Sequence, residues 1–441
     1  MNEETPYVKL RLHSLSVRNY KSLKKVTFSP ENFAAIIGPN AAGKSNFASA
    51  IHFLSEVYKL GLETAVANKG GYENIAFRRS SRSTAPIEFE VVLEMGGSEI
   101  HQQISDITPH IAPGYGKHWK VCHRFSFITT GKGIRQPFHI VEESFVIKAT
   151  CEHATDKEIV KITRNIADEL MVETANNDPV AMLYQGEVES TFQAISRSLG
   201  SAAVFRSKSS LFIEEKAVGL LQFFAKFVAG FKVYQFSNSF TRQPGVPLPN
   251  PVLSPLGENL PGIIDWMQVN SPGTWQFVMS GMQDIMPSLQ TINIETLHNQ
   301  RLGIFFTEEG VTRSWGVEEL SDGTMHALAI LVAVADSRNS LLLLEEPENS
   351  VHPWIVRVIV NHLREISQYT NVIVTSYSPI LTNLLRPEEI WIASRRKGET
   401  TLNKLTMLDA SVKEGWENGD FRLSEFLDSG AVGQSVPGGV W

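Results

Sequence analysis

At 441 residues the chain exceeds the roughly 250–300 at which single cores stop growing, so two or three structural units are expected. With 42% hydrophobic and 20% charged residues it reads as a soluble globular protein, and a net charge of −7 argues against a general nucleic-acid coat. Two cysteines, Cys122 and Cys151, exclude a disulfide framework and suit a reducing cytoplasm; the start is no secretory leader, and no apolar run approaches the roughly 20 residues of a membrane span.

Residues 8–30 alternate apolar and polar (Leu10, Leu12, Leu15, Val17, then Leu23, Val26, Phe28) and predict an opening hairpin. Its turn, Arg18-Asn19-Tyr20-Lys21-Ser22-Leu23, is basic and aromatic. Ala34 to Ile37 then reads as a short buried strand that stops at Gly38-Pro39-Asn40-Ala41-Ala42. Gly43-Lys44-Ser45-Asn46 opens a helix through Phe47, Ala48, Ala50, Ile51 and Phe53. Strand, glycine-bounded loop, Lys-Ser and helix form the phosphate-loop pattern, and a chance match would need neither flanking element. Gly38 and Gly43 free the backbone to turn its N–H groups toward phosphate oxygens, and the helix start adds its positive dipole end. Lys44, expected to face solvent until phosphate arrives, would reach the β- and γ-phosphates, and the Ser45 hydroxyl would ligate Mg2+.

Ile87, Phe89, Val91 and Leu93 alternate with Glu88, Glu90, Val92 and Glu94 as a half-exposed strand. Arg78-Arg79-Ser80-Ser81-Arg82 before it reads as a solvated basic loop, with phosphate contact the alternative. From 96 to 209 the pattern loosens. Trp119 to Phe127, Glu142 to Ile147 and Glu158 to Thr163 predict strands, and Ala181 to Leu199 a weak helix. Residues 211–229 make a better helix, with Ala217, Leu220, Leu221, Phe224, Phe227 and Val228 on one face, but no heptad repeat implies a coiled-coil arm. Cys122 with His123, and Cys151 with His153, are too sparse to argue for zinc. Five prolines between Pro244 and Pro255 read as a stiff connector, or alternatively as a docking motif for a proline-reading module.

Leu320-Ser321-Asp322-Gly323-Thr324 directly precedes a small apolar helix, Met325 to Asp336. Leu341 to Leu344 is a buried strand that ends in Glu345-Glu346-Pro347-Glu348, which puts two acids at the carboxyl edge of a sheet, where ligands sit. Asn371 to Thr375 is another apolar strand and runs into Ser376-Tyr377-Ser378-Pro379. Glu389 to Ser394 and Lys404 to Met407 predict the last two strands.

These pieces in this order resemble the ATP-binding-cassette (ABC) class of ATPases. Within it the chain is similar to the SMC-like branch that includes RecF and the OLD (overcoming lysogenization defect) ATPases, and to ATPase subunits of bacterial anti-phage defence systems. RNYKSL before GPNAAGKSN, LSDGT in the signature position and LLLLEEPENSVHP as the acidic strand carry the likeness, together with VYQFSNSFTR and SPLGENLPGIIDWM. The resemblance implies an α/β fold, an ABC-type P-loop head with a mixed or parallel sheet and flanking helices. Residues 1–95 and 236–441 would build the head, around an inserted α+β domain at 96–235 used for dimerisation or partner docking.

The resemblance also implies ATP and Mg2+. Gly38, Pro39, Asn40, Ala41, Ala42, Gly43, Lys44, Ser45 and Asn46 would cradle the phosphates, and Ser321 and Gly323 would reach them from the opposite head of a nucleotide-sandwich dimer. Ser45 and Glu345 would hold the metal, and Glu346 would be the general base. Tyr377 stands where the family has a switch histidine, and no glutamine for the metal shell stands out. Hydrolysis is therefore expected to be slow, or to rely on Ser376 and a partner group. Expected partners are a second copy, in a homodimer or higher oligomer, and a separate nuclease or Toprim-type effector, since the chain after Pro379 is short for a Toprim domain. The chain alone is expected not to cut nucleic acid. The alternative is a RecF-like repair ATPase that contacts DNA through Lys21, Lys24, Lys25, Arg78, Arg79 and Arg82. A transporter motor, and with it a membrane, is disfavoured by the long separation of Ser45 from Ser321.

Overall fold

Period-two alternation builds the first sheet. β1 (Lys9–Tyr20) and β2 (Leu23–Phe28) pair antiparallel, with Tyr20 opposite Leu23 across a turn that places Asn19 and Lys21 in the left-handed region (φ 56 and 48). β4 (Ile87–Gly96), β5 (His118–Thr129), β6 (Phe138–Thr150), β7 (Lys157–Arg164) and β8 (Leu170–Thr174) extend it antiparallel in the order β2-β1-β4-β5-β6-β7-β8. Strands from both sides of residue 96 therefore share one sheet. Ile87, Phe89, Val91 and Leu93 are buried, and Glu88, Glu90 and Glu94 are half-buried. Over the buried face lies an aromatic layer of Tyr20, Phe53, Phe89, Phe125 and Phe127, with ring centroids 5.5 to 6.3 Å apart. His123 and Glu143 are buried as a pair, Nε2 3.1 Å from Oε1, and the Tyr58 hydroxyl meets the other ring nitrogen.

The computed structural model describes residues 9–77, 85–96, 118–129, 138–150, 157–164, 170–174 and 224–430. Arg78, Arg79, Arg82, Cys151, His153, the helix expected at 181–199 and most of that at 211–229 lie outside these residues. Of the last, residues 224–229 are helical, with Phe224 and Val228 buried. The chain divides into two compact units: Met1–Pro30, Ser49–Phe231 and Arg395–Leu402 form one, and Glu31–Ala48, Lys232–Ser394 and Asn403–Trp441 the other.

In the second sheet, β3 (Phe33–Ile37), β13 (Leu341–Glu345), β14 (Asn371–Ser376) and β15 (Ile390–Arg396) run parallel in the order β16-β15-β3-β14-β13-β9. β9 (Phe231–Tyr234) and β16 (Glu399–Lys404) are its edges. Every residue of β3 and β14 is buried, as are the four leucines of β13, which is the signature of a sheet covered on both faces. The core joins these strands to four helices: α2 (Leu260–Asn270), α3 (Pro272–Ile285), α4 (Asp322–Ala335) and α5 (Pro353–Ile366). β10 (Leu289–Thr296), β11 (Leu302–Glu308) and β12 (Trp315–Gly316) form a small third sheet. The proline-rich 246–254 has no helix or strand and is tied in place by Asn259 on the Val252 carbonyl (2.8 Å) and Arg338 on Asn250 (2.8 Å).

One expected strand is misplaced. The alternation at 404–407 predicts a strand, but the strand is Glu399–Lys404, and Leu405–Leu408 is a helical turn with Leu405 buried. Four alternating residues fit one turn of either structure, and the burial of Leu405 decides it. Two helices follow, α6 (Val412–Asn418) and α7 (Leu423–Asp428). Among the described residues no helix is long and apolar enough to cross a membrane, and no three His, Cys, Asp or Glu residues gather as a metal site.

Candidate functional site

Parallel register collects the site. Ile37 lies beside Ser376, and Glu345 beside Thr375, so the chain leaves β3, β13 and β14 at one carboxyl edge. Two backbone bonds fasten the exits: Gly38 N donates to Ser376 O (3.3 Å) and Glu346 N to Thr375 O (2.9 Å). The helix after the loop, α1 (Lys44–Leu60), starts at the lysine, and the N–H groups of its first turn have no acceptor within the helix.

The two loop glycines have different reasons to be glycine. Gly43 has φ 105, a conformation that side chains oppose, and Ala41 is held nearby at φ 62. Gly38 was expected to serve the turn as well, but its φ is not positive. A Cβ there would sit 2.3 Å from the Ala393 carbonyl oxygen of β15, so the position is fixed by the close passage of a neighbouring strand.

Lys44 was expected to face solvent. It is 6% exposed, and its Nζ donates to the carbonyls of Gly38 (2.7 Å) and Pro39 (3.1 Å), which fold it over its own loop. Burial lowers its pKa, and Glu346, Glu348 and Glu345 pull it back up. Its ammonium lies 5.8 Å from the centroid of the half-exposed Tyr377 ring. Asn40, Ala41 and Ser45 are exposed, whereas Ala42 and Gly43 are buried.

Glu345 closes β13, and Glu346 follows in a left-handed turn (φ 49) with Asn349 Nδ2 donating to its Oε2 at 2.7 Å. Glu348 is a third acid of this edge, beyond the two expected at the strand end. Burial raises its pKa, its Oε1 accepts from the Ser376 hydroxyl, and its Oε2 has no partner among the described residues. The Thr375 hydroxyl is likewise buried and unpartnered. A cavity of 490 Å³ beside the loop is lined by Gly38, Pro39, Asn40, Tyr377, and Ser424 and Asp428 of α7. Nothing in the sequence near the loop announces that last wall.

Ser321 caps α4: its hydroxyl accepts from Thr324 N (3.1 Å) and meets the Thr324 hydroxyl (2.8 Å). Gly323 is buried, and a Cβ there would lie 2.8 Å from the Ser350 carbonyl oxygen, so this glycine answers to packing against the turn that follows the acids. Arg242 fastens the start of α4, with Nη2 on the Leu320 carbonyl (3.0 Å) and on Asp322 (2.7 Å).

These residues fit a nucleotide polyphosphate with Mg2+. The loop offers a helix start and a lysine, and the Ser45 hydroxyl, Glu345 and the unpartnered oxygens of Glu348 and Thr375 are the hard donors that Mg2+ takes. Phosphate loop, acidic strand end and capped LSDGT helix, gathered by one parallel sheet, give the chain the fold of an ABC-type P-loop head. More narrowly, residues 235–383 match the family described as "AAA domain, putative AbiEii toxin, Type IV TA system", a stretch that holds LSDGT, the acids and Tyr377 but not the phosphate loop.

Among solved structures the chain is similar to the SMC head domain from Thermotoga maritima, at 13% identity and TM-score 0.42 over 89% of this chain and 98% of that one. It is also similar to the Pyrococcus furiosus Smc head with an extended coiled coil, solved bound to the C-terminal domain of ScpA, at 12% identity and TM-score 0.44 over 93% and 100%. The Pyrococcus yayanosii Smc head with a coiled coil and joint gives the same four values. No curated protein matches significantly.

Proposed function

We propose that this chain binds ATP with Mg2+ and hydrolyses it slowly, and that bound nucleotide pairs its head with a second copy to govern a separate effector. The reading is carried by the parallel register that gathers the Lys44 loop, Glu345, Glu346 and Tyr377 at one edge. Lys44 would exchange the carbonyls of Gly38 and Pro39 for phosphate oxygens. Ser45 and Glu345 would hold Mg2+, which when bound offsets phosphate charge. Glu346, oriented by Asn349, would take the proton of the attacking water. Tyr377 can donate one hydrogen bond but brings no positive charge, which is the reason for slow turnover. Ser321 and Gly323 would approach the phosphates of the partner head.

The proposed effector is a nuclease or Toprim-type protein and the proposed role is anti-phage defence; the matched family's description names a toxin system. DNA contact of the RecF kind has less support: Lys24 pairs with Glu399 (3.1 Å) and Lys21 donates to Ser49 (2.7 Å).

The test is equilibrium binding of a fluorescent ATP analogue with Mg2+, followed by phosphate release. Lys44→Ala is expected to weaken binding on the order of 100-fold, since it removes a charge-assisted contact to phosphate. Unchanged affinity in that variant would overturn the assignment.

A further inference from the structure

A groove of 830 Å³ lies between α5, α6 and the segment leading into α7. Its apolar walls are Trp354, which is 45% exposed, together with Trp416 and Phe421. Phe421 is held against the backbone of α6, since a Cβ at Gly415 would come within 2.5 Å of its ring, and it stacks on Phe426 at 4.7 Å. Arg357 and Arg422 line the groove, are exposed and have no ion pair among the described residues. His352 joins them, and no Asp or Glu is part of the lining. The Glu425 carboxylate accepts from the Arg422 backbone N–H (3.4 Å) and makes no ion pair with its guanidinium, so both guanidiniums can take a ligand's carboxylate.

We propose that this groove docks an acidic peptide segment of a partner protein, with an aromatic or large aliphatic side chain seated among Trp354, Trp416 and Phe421 and carboxylates on Arg357 and Arg422. Two tryptophans and arginines around a pocket are the composition that dominates binding energy at protein interfaces. Arginine's planar fork suits a carboxylate in particular. The volume is that of a site for a few side chains. A polynucleotide fits less well, because it carries a charge at every step and needs a continuous basic track, whereas this site has two arginines and a histidine.

The inference rests on the reading of a separate effector, so its test is run in the Lys44→Ala background as well as in the wild type. A displayed library of random dodecapeptides is selected on the immobilised full chain, with counter-selection on Arg357→Glu/Arg422→Glu. The winning sequence is then measured as a fluorescein-labelled peptide. The expected result is enrichment of Asp and Glu flanking Trp, Phe or Leu, and at least about tenfold weaker binding by the double variant and by Trp354→Ala, a loss of roughly 1.4 kcal/mol. Fluorescent ATP binding by these groove variants should equal the wild type, which also certifies their fold. Peptide binding kept in Lys44→Ala separates the groove from the nucleotide site. Selection of no groove-dependent peptide, or of basic ones, overturns the proposal. So does Arg357-dependent binding of an oligo-dT strand, or a change in sedimentation that assigns the groove to a second copy.

Discussion

In the antiparallel sheet β1, β4 and β5 turn one face to the aromatic layer, and on the other, half-buried face of β4 the carboxylates are spread along the strand at Glu88, Glu90 and Glu94. In the parallel sheet both faces are covered, and a polar side chain is tolerated mainly where a strand ends. Glu345, Glu346, Thr375 and Ser376 all sit at such ends. The same requirement, burying apolar surface, thus scatters charge in one sheet and gathers it in the other. Only the gathered arrangement puts several acids beside one phosphate loop.

The sharpest way to break this contrast is to neutralise one acid in each sheet. Glu346→Gln should lower turnover by on the order of 10² to 10⁴ with nucleotide affinity kept, while Glu90→Gln leaves phosphate release unchanged. Equal losses would erase the distinction. Core truncations come next. Phe89→Ala should cost about 3–5 kcal/mol and Leu343→Ala about 2–5 kcal/mol in urea unfolding. Of the two, only Leu343→Ala should also weaken nucleotide binding, because its strand presents the acids.

A pH effect of similar but smaller size belongs to α4. Burial lowers the His326 pKa to about 4. Between pH 6.5 and 4 the unfolded chain takes up a proton that the folded one refuses, so stability falls as pH falls through that window, by roughly 3 kcal/mol in total. His326→Leu should flatten that part of the stability profile. Smallest is the α4 cap: Ser321→Ala should cost about 1 kcal/mol, read as a lowered Tm with fold retained.

The contrast also explains what was legible. The apolar runs 34–37, 341–344 and 371–375 name buried strands without further help, and their last residues point to the site. Alternation at 87–94 names a half-buried strand equally well. β8 and the 405–408 turn went unread, because five or four residues carry too few periods to separate helix from strand. The role of Gly38 was unreadable for another reason: the Ala393 carbonyl it avoids belongs to a strand more than half the chain away. Glu348, Ser424 and Asp428 share that limit. Their place at the site depends on which remote segments the fold brings together, and no local spacing records it.

The strand that presents the phosphate loop is made early and finished late. Phe33 pairs with Val372, and Ala35 with Ile390, so β3 has no neighbours in its own sheet until those residues exist. That is about 340 residues of further synthesis, roughly 17–70 s at ordinary ribosomal rates of about 5–20 residues per second. Throughout that interval Ala34 to Ile37 have no partner strands, although Phe53 of α1 already has Tyr20, Phe89 and Phe127 to pack against. ATP cannot help the nascent chain fold during this time, because the edge that would hold its phosphates does not yet exist. Mutations that slow the late strands should therefore appear first as aggregation during synthesis.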